Sequence, residues 1–331
     1  MQAFDVVTGG AGFIGSHLVD ALRAAGRPVL AIDNLAVGRR SNLAAHEGQE
    51  GFRFVEADVC DRPAMAELLK GADRVFHLAA LADIVPSVQN PERYFDANVN
   101  GCFAIAEAAR TNGVSRLLYA ASSSCYGIPD VYPTPETAPA NPRYPYALTK
   151  YLGEQLLLHW ADVYGLPVTA LRLFNVYGPR ARTSGTYGAV FGVFLAQKLA
   201  GKPLTIVGDG NQTRDFTYVT DVVSAFLAAA EKGRTGGVYN VGSGGSVSVN
   251  RLVELIGAEQ VDYIPKRPGE PDCTFADTTR IRGELGWSPA VPIEEGVARL
   301  LANLDYWRDA PVWTSGTIAD ATKDWFRYIK N

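Results

Sequence analysis

The sequence has few of the residues that build metal centres and disulfide frameworks. It contains only four cysteines and four histidines in 331 residues. Cys60, Cys102, Cys125 and Cys273 stand far apart without any Cys-x-x-Cys spacing, and the histidines are equally dispersed. This pattern argues against a zinc site and against a disulfide-stapled domain. We therefore expect a protein without bound metal and without disulfides.

The chain also lacks a surplus of positive charge. Its 31 Lys and Arg residues are outnumbered by 35 Asp and Glu residues, which gives a formal net charge of −4. The basic residues are scattered rather than clustered. Because domains that bind nucleic acid carry a basic patch or stripe, we expect no nucleic-acid partner.

Long hydrophobic runs are missing as well. A membrane-spanning helix needs roughly 18 or more apolar residues in a row, and no segment approaches that length. The opening MQAFDVVTGGAGFIG has no basic leader before an apolar segment, which is not typical of a signal peptide. We therefore expect no membrane partner and a cytoplasmic location. With 47% hydrophobic residues, the chain can still bury a sizeable core.

The segment FDVVTGGAGFIGSHLVDALRAAGRPVLAIDNL, residues 4–35, indicates a strand, a glycine turn, a helix and a second strand. The first glycine of the turn, Gly9, would permit a tight bend. Gly12 would let the backbone approach a pyrophosphate, and Gly15 would let helix and strand pack closely. An anion is stabilised at such a helix N-terminus by unpaired N–H groups and the helix dipole. The segment therefore predicts a dinucleotide-binding unit.

An acidic residue at the end of the second strand bears on the choice of dinucleotide. Asp33 lies 18 residues after Gly15, where a carboxylate accepts hydrogen bonds from the adenosine ribose hydroxyls. A carboxylate would repel a 2′-phosphate, which favours NAD over NADP, although the nearby Arg39 and Arg40 weaken that preference. Asp58, after the third predicted strand, is expected at the adenine edge.

Strands and helices alternate over the first 175 residues or so. This alternation predicts an α/β protein with a doubly wound parallel Rossmann sheet, joined by a smaller mixed α/β C-terminal substrate domain. We assign residues 1–175 and parts of about 214–242 to the cofactor domain. Residues 176–213 and about 243–331 would form the second domain, with a predicted hairpin over 202–221. The pocket is expected between the two domains.

Polar residues follow the fifth predicted strand, in VSRLLYAASSSCYG. Ser122, Ser123 and Ser124 would lie at the carboxyl end of a central strand, where ligands bind in doubly wound sheets. About two dozen residues later, Tyr146 and Lys150 stand four apart and therefore share one helical face. By itself, such a pair is compatible with an ordinary helix turn or with a proton-transfer device.

Taken together, these motifs resemble the extended short-chain dehydrogenase/reductase family, in its NAD-dependent epimerase/dehydratase group. The markers occur in the family's order and cover residues 1 to about 290. They are TGGAGFIG (8–15), DNL (33–35), HLAA (77–80), NVNG (98–101), SSSCYG (122–127), YALTK (146–150), LRLFNVYGP (171–179) and RDFTYVTD (214–221). Within the family, the chain is most similar to the UDP-sugar 4-epimerases.

The resemblance implies a role for each motif residue. Tyr146 would be the catalytic acid/base, Lys150 would stabilise its phenolate, and Ser122 would relay the proton. The implied cofactor contacts are Gly9, Gly12, Phe13, Ile14, Gly15, Asp33, Asn34, Asp58, Val59, Leu78, Ala79, Ala80, Asn98, Tyr146 and Lys150. The implied substrate contacts are Ser123, Ser124, Asn175, Arg182, Arg214, Arg267 and Thr274.

The same resemblance implies the reaction. NAD would stay tightly bound and be regenerated in each turnover, while C4 of a UDP-hexose is inverted through a transient 4-keto sugar. Arg214, Arg267 and Asn175 would hold the diphosphate. Thr274 would leave room for an N-acetyl group, and Arg182 would pair with the carboxylate of a hexuronic acid. A homodimer through helices near 95–111 and 147–164 is also implied.

Alternatives remain open at this stage. The fold also hosts dehydratases, 3,5-epimerases and 4-ketoreductases acting on GDP-, CDP- or dTDP-sugars, and a non-catalytic NAD-binding scaffold is the alternative outside enzymes. The dehydratases have Asp-Glu where this chain has Ser123 and Ser124. The 3,5-epimerases place a cysteine two residues before the tyrosine that corresponds to Tyr126, whereas Cys125 directly precedes it. A one-residue shift on an extended segment reverses the side chain, so we interpret Cys125 as a packing residue.

Overall fold

The computed structural model describes residues 3–181 and 188–330. Its strands are β1 (Phe4–Thr8), β2 (Val29–Asp33), β3 (Phe52–Glu56), β4 (Ala72–His77), β5 (Arg116–Ser122), β6 (Val168–Leu173), β7 (Val176–Tyr177), β8 (Leu204–Val207), β9 (Thr213–Arg214), β10 (Thr217–Tyr218), β11 (Gly237–Val241), β12 (Val247–Ser248) and β13 (Val261–Ile264). Its helices are α1 (Phe13–Ala24), α2 (Arg62–Leu68), α3 (Ile84–Gln89), α4 (Pro91–Phe95), α5 (Gly101–Thr111), α6 (Pro145–Tyr164), α7 (Val190–Leu199), α8 (Val219–Lys232), α9 (Val249–Ile256), α10 (Thr279–Leu285), α11 (Ile293–Leu301), α12 (Ser315–Ala321) and α13 (Lys323–Tyr328). Among these helices, none is both long enough and apolar enough to cross a bilayer.

Seven parallel strands form the central sheet, in the order β3-β2-β1-β4-β5-β6-β11. The chain moves outward from β1 to β3 and then crosses back to β4 on the other side of β1. Ligands bind at such a reversal, above the carboxyl ends of the strands. The predicted fold class, a parallel Rossmann-type α/β sheet, is confirmed.

Helices cover both faces of this sheet, which is why its strands are nearly continuous apolar runs. Every residue of β2 is buried. On one face, Leu18 of α1 and Phe226 of α8 pack into one apolar cluster. On the other face, Ile105 of α5 and Leu157 of α6 pack into a second cluster. The helix that carries Tyr146 and Lys150 is therefore fixed against the sheet.

The C-terminal elements form three short two-stranded pairs, and here the predicted hairpin over 202–221 is wrong. β8 pairs in parallel with β13, and β9 pairs antiparallel with β12. Both partners come from later in the chain, beyond the reach of a local turn signal. The apolar side chains of β8, Leu204 and Ile206, pack with Leu252 of α9 in a third cluster. Burial of this apolar face favours the distant partner over the nearby strand.

The last part of the chain folds as two short helices, α12 and α13, joined at Thr322. Ile318, Thr322, Trp325 and Ile329 are all buried. Ile318 packs with the C-terminal elements, whereas Trp325 packs beside Val85 of α3. The tail therefore reaches from the C-terminal elements to a helix that follows the central sheet strand β4.

Candidate active site

A cavity of about 990 Å³ lies above the carboxyl ends of the parallel strands. The glycine turn lines one end, and Arg214 and Arg267 line the other. The predicted site residues that line it are Gly9, Gly12, Phe13, Ile14, Gly15, Asp33, Asn34, Asp58, Val59, Leu78, Ala79, Ala80, Ser122, Ser123, Ser124, Tyr146, Lys150, Asn175, Arg214, Arg267 and Thr274. Asn98 is not among the lining residues, and Arg182 lies outside the described residues.

The glycine turn between β1 and α1 has no space for side chains. Gly9 adopts a φ of +68°, a left-handed conformation that favours glycine. A Cβ atom on Gly15 would lie 2.0 Å from the carbonyl oxygen of Gly9. α1 begins directly after Gly12, so the N–H groups of its first turn have no helical acceptors. Together these features form a cradle for an anion at the helix N-terminus.

Substituting Gly15 by alanine tests this cradle. The added methyl group must displace the Gly9 carbonyl, so we expect the Gly15→Ala variant to lose about 1–3 kcal/mol of stability and most of its dinucleotide affinity. Gly283 of α10 is a matched control, because an added Cβ there meets nothing within 4 Å. The Gly283→Ala variant should be as stable as the parent or more stable by up to about 1 kcal/mol. Thermal melts and NAD titrations measure both effects, and unchanged NAD affinity in Gly15→Ala would contradict the assignment.

Asp33 lines the cavity beside the glycine turn. Its Oδ2 atom accepts a hydrogen bond from the N–H of Ala11 (3.0 Å), and its Oδ1 atom accepts one from the N–H of Leu35 (2.8 Å). Burial raises the pKa of this carboxyl group despite the two bonds. Next to it, the Asn34 amide donates to Asp58 Oδ2 (2.9 Å) and joins the ends of β2 and β3.

Asn98 has a positioning role in the structure. It lies in a π-helical turn, Asp96–Asn100, between α4 and α5. Its Oδ1 atom accepts from the N–H of Leu81 (2.9 Å), and its Nδ2 atom donates to the Leu81 carbonyl (3.0 Å) and to Thr149 Oγ1 (3.0 Å). These bonds tie the segment after β4 to α6, next to Lys150. A direct cofactor contact by Asn98 remains a prediction.

The hydroxyl groups of Tyr146, Ser122 and Ser124 form a chain at the centre of the cavity. Ser122 is the last residue of β5, and Tyr146 lies in the first turn of α6. The Tyr146 hydroxyl donates to Ser122 Oγ over 3.4 Å, and Ser122 Oγ lies 2.7 Å from Ser124 Oγ. Burial raises the pKa of Tyr146, while the hydrogen bond with Ser122 lowers it. The arrangement can pass a proton between the phenol and a bound alcohol.

Lys150 lies one helical turn beyond Tyr146 and is only 4% exposed. Its Nζ atom lies 4.2 Å from the ring centroid of Tyr119 on β5, whose hydroxyl donates to the Lys150 carbonyl (3.1 Å). Burial lowers the pKa of Lys150 to about 8. Because the ammonium ion is poorly solvated here, a nearby negative charge such as a phenolate would stabilise it.

Two arginines meet at the opposite end of the cavity. Arg214 donates to Glu270 Oε1 over 3.0 Å, and Arg267 lies 3.7 Å from Glu270 Oε2. Beside them, the Thr274 hydroxyl donates to Asn175 Oδ1 (2.8 Å). Paired guanidinium groups of this kind recognise phosphate oxygens, so this end suits a diphosphate.

The sequence analysis missed many of the lining residues, among them the polar and aromatic side chains of Tyr144, Glu270, Trp313 and Trp325. Tyr144 stands two residues before Tyr146, and the two rings are nearly parallel, at 8° with centroids 6.4 Å apart. This proximity in sequence was an available signal. The two tryptophans belong to the tail, where no motif points to the cavity.

Cys125 lies away from the cavity lining. It is buried against Phe174 and Ala276. Burial raises the pKa of its thiol to about 12. A thiol in this setting is unsuited to acid/base work at neutral pH, which agrees with its interpretation as a packing residue.

Comparison with known proteins shows which family this chain matches. The model of the NAD dependent epimerase/dehydratase family matches residues 6–242. A UDP-glucose 4-epimerase from Mycolicibacterium smegmatis is 41% identical over 303 residues, covering 89% of this chain and 96% of that protein. A dTDP-glucose 4,6-dehydratase from Streptomyces griseus is 34% identical over 308 residues, covering 90% and 92%. The structure of a UDP-glucuronic acid 4-epimerase from Bacillus cereus, in complex with UDP-glucuronic acid and NAD, superposes with a TM-score of 0.84 at 32% identity, covering 92% of this chain and 98% of that one.

Proposed function

The chain belongs to the NAD-dependent epimerase/dehydratase family, and on that premise we propose that it is an NAD-dependent epimerase that inverts C4 of a UDP-hexose. The observation that carries this proposal is the Tyr146–Ser122 hydrogen bond, placed between a dinucleotide cradle and a pair of arginines in one cavity. An enzyme that oxidises and reduces the same sugar carbon needs this order of parts.

The residues of the cradle fit NAD. Gly15 lets α1 pack directly against the Gly9 carbonyl, and the N-terminus of α1 suits the charge of a pyrophosphate. Asp33 lines the cavity beside them, where a carboxylate serves the ribose hydroxyls of NAD and disfavours a 2′-phosphate. Held by these residues, NAD would supply reversible hydride transfer with the sugar carbon.

Tyr146 handles the proton that accompanies the hydride. Its phenolate accepts the proton of the sugar 4-hydroxyl and later returns it, so the tyrosine must be ionised at the start of the cycle. Lys150 favours that ionised form through its positive charge. Ser122 hydrogen-bonds Tyr146 and orients the reacting oxygen. At the other end, Arg214, Arg267 and Asn175 hold the diphosphate while the keto sugar turns.

The serines after β5 argue against dehydration. A 4,6-dehydratase needs a carboxylic acid to expel the C6 hydroxyl. Ser123 and Ser124 line the cavity in the positions where the dehydratases have Asp-Glu, and neither can serve as a carboxylic acid. Cys125, the candidate acid of a 3,5-epimerase, is buried behind the lining.

A panel of nucleotide sugars tests the proposal directly. The purified protein is incubated with UDP-, GDP-, CDP- and dTDP-sugars, including UDP-glucose, UDP-N-acetylglucosamine and UDP-glucuronic acid, and the products are followed by NMR. We expect inversion at C4 of at least one UDP-sugar without loss of mass. Release of water or carbon dioxide, or inversion at C3 and C5, would replace the proposal with one of its alternatives.

Alanine at position 125 separates the packing interpretation from acid/base catalysis. Because the Cys125 thiol does not line the cavity, we expect the Cys125→Ala variant to retain turnover within about threefold of the parent. The matched variant Ser122→Ala should lose about 10²-fold or more, because it removes the partner of Tyr146. Initial rates with the active UDP-sugar provide the comparison. A collapse of turnover in folded Cys125→Ala would assign the thiol to catalysis.

The proposal also includes a cytoplasmic homodimer with two domains. Helices α4 and α6 expose four apolar side chains, those of Phe95, Leu148, Val163 and Tyr164. Exposed apolar residues of this kind support pairing through these helices. Sedimentation at twice the chain mass would test the homodimer. The four free cysteines support a reducing compartment, which fractionation would test.

The proposed domain division places residues 1–175 and 214–242 in the cofactor domain and residues 176–213 and 243–331 in the substrate domain. Limited proteolysis would test this division.

A further inference from the structure

The C-terminal tail, residues 311–330, crosses one side of the substrate cavity. It begins among the C-terminal elements, where the Gln197 amide donates to the Trp313 carbonyl (2.8 Å). It ends beside α3, where the Gln89 amide donates to Asp324 Oδ2 (3.2 Å). Pro311, Trp313 and Trp325 of this tail line the cavity. The tail therefore connects the elements that carry the arginines with those that carry the tyrosine.

Trp325 is the residue of the tail with the most informative contacts. It is 2% exposed, and its indole N–H donates to the carbonyl of Pro268 (2.8 Å). The guanidinium carbon of Arg267 lies 5.5 Å from its ring centroid, within the range of a cation–π contact. Its ring centroid also lies 6.1 Å from that of Tyr144, which in turn packs parallel to Tyr146.

The loop that carries Arg267 is shaped to approach the tail. Gly269 has a φ of +69°, and a Cβ atom there would lie 2.7 Å from Ile329 Cγ2. Ile329, Trp325 and Val85 of α3 form one apolar cluster with Tyr144 at its edge. Three contacts thus hold the loop against the tail. The Pro268 carbonyl accepts from the Trp325 N–H, the Arg267 guanidinium lies over the Trp325 ring, and Gly269 packs against Ile329.

We infer that Trp325 is a positioning residue for substrate binding, which holds the Arg267 guanidinium at the diphosphate end of the cavity and closes that side of the pocket. The inference rests on the proposed function, because it assigns Arg267 to the substrate diphosphate. The face of the Trp325 ring contacts the Arg267 guanidinium, and the Trp325 N–H donates to the carbonyl of the adjacent Pro268. Removing the indole therefore takes away one support of the guanidinium, which keeps Glu270, and one support of the loop, which keeps its contact with Ile329.

A double-mutant cycle on UDP binding tests the inference. UDP is titrated into the NAD-loaded parent, Arg267→Ala, Trp325→Leu and the double variant. In the parent, loss of Arg267 should weaken UDP binding by about 30-fold or more. In the Trp325→Leu background, the same loss should cost at least about fivefold less, because the guanidinium is no longer held in place. With sugar substrate, Trp325→Leu should raise KM more than it lowers kcat.

Two further variants keep the test decisive. Trp325→Phe keeps an aromatic ring against Arg267 and the apolar cluster but removes the N–H bond to Pro268 and part of the ring system. It should therefore fold and weaken UDP binding by about threefold or more. Trp160→Phe is the matched control, because Trp160 bonds Glu107 away from the cavity, and its UDP affinity should be unchanged. Equal costs of Arg267→Ala in the parent and both Trp325 backgrounds would overturn the positioning role. A parent that binds no UDP would instead remove the proposed function, and this inference with it.

Discussion

Replacing Tyr146 with phenylalanine should lower turnover by about 10²–10⁴-fold while NAD stays bound. The substitution removes one oxygen atom, and among residues 3–181 and 188–330 that oxygen has one hydrogen bond, to Ser122 Oγ at 3.4 Å. The ring, which packs against Tyr144, is kept. The loss should therefore fall on kcat, since the missing group is needed when the sugar hydroxyl gives up its proton.

A neighbouring tyrosine provides the matched control. Tyr144 lines the same cavity, and burial raises the pKa of its phenol well above the usual range. The Tyr144→Phe variant makes the same chemical change two residues away and should retain turnover within about tenfold. Turnover is followed by NMR with the active UDP-sugar, and bound NAD by absorbance after denaturation. Near-parental activity in Tyr146→Phe would exclude Tyr146 from the acid/base role, whereas a parent that binds NAD but turns over no nucleotide sugar would favour the non-catalytic scaffold.

Under the proposed function, Lys150 is the group that would favour an ionised Tyr146 at neutral pH. Burial disfavours the phenolate of Tyr146 and, separately, the ammonium ion of Lys150, whose pKa falls to about 8. Because both groups are buried, the attraction between a Tyr146 phenolate and the Lys150 ammonium ion would be stronger here than in water.

The parts of the site that the sequence predicts are those encoded by local rules. The turn at Gly9, Gly12 and Gly15 is predictable because only glycine leaves enough space for the backbone there. The position of Asp33 is predictable because it ends the strand that follows the turn and its helix. Alternation of strands and helices then predicts a parallel sheet. Its switch point, between β1 and β4, lies where the cavity opens. Each of these inferences needs only a few neighbouring residues.

The features that sequence reasoning missed depend on distant partners. β8 lies in a segment that reads as a hairpin, yet its partner β13 begins at Val261, more than fifty residues later. Trp325 of the tail reaches Arg267 and Tyr144, which lie about 60 and 180 residues earlier in the chain, so no local pattern predicts these contacts. For Asn98, the structure adds hydrogen bonds to Leu81 and Thr149, partners that motif position alone does not identify, while its cofactor contact stays a prediction.

Breaking the ion pair between Glu154 and Arg172 should destabilise the protein by about 3–5 kcal/mol. Arg172 of β6 donates through Nε to Glu154 Oε2 (2.9 Å) and through Nη2 to Oε1 (2.6 Å). The side chains are 8% and 1% exposed, respectively. In Glu154→Gln the guanidinium keeps its charge without a counter-ion, and burial makes that arrangement costly. Because Glu154 lies one turn beyond Lys150 on α6, the same variant should also lose turnover.

The cost comes from the unpaired charge rather than from the loss of a favourable bond, and a double variant distinguishes the two causes. Glu154→Leu combined with Arg172→Met removes both charges and should recover much of the stability lost in Glu154→Gln. Glu254→Gln, which breaks an exposed pair with Arg251, should cost less than about 1 kcal/mol. Urea unfolding midpoints give all three values. A double variant at least as unstable as the sum of its single variants would mean that the pair itself stabilises α6 against the sheet.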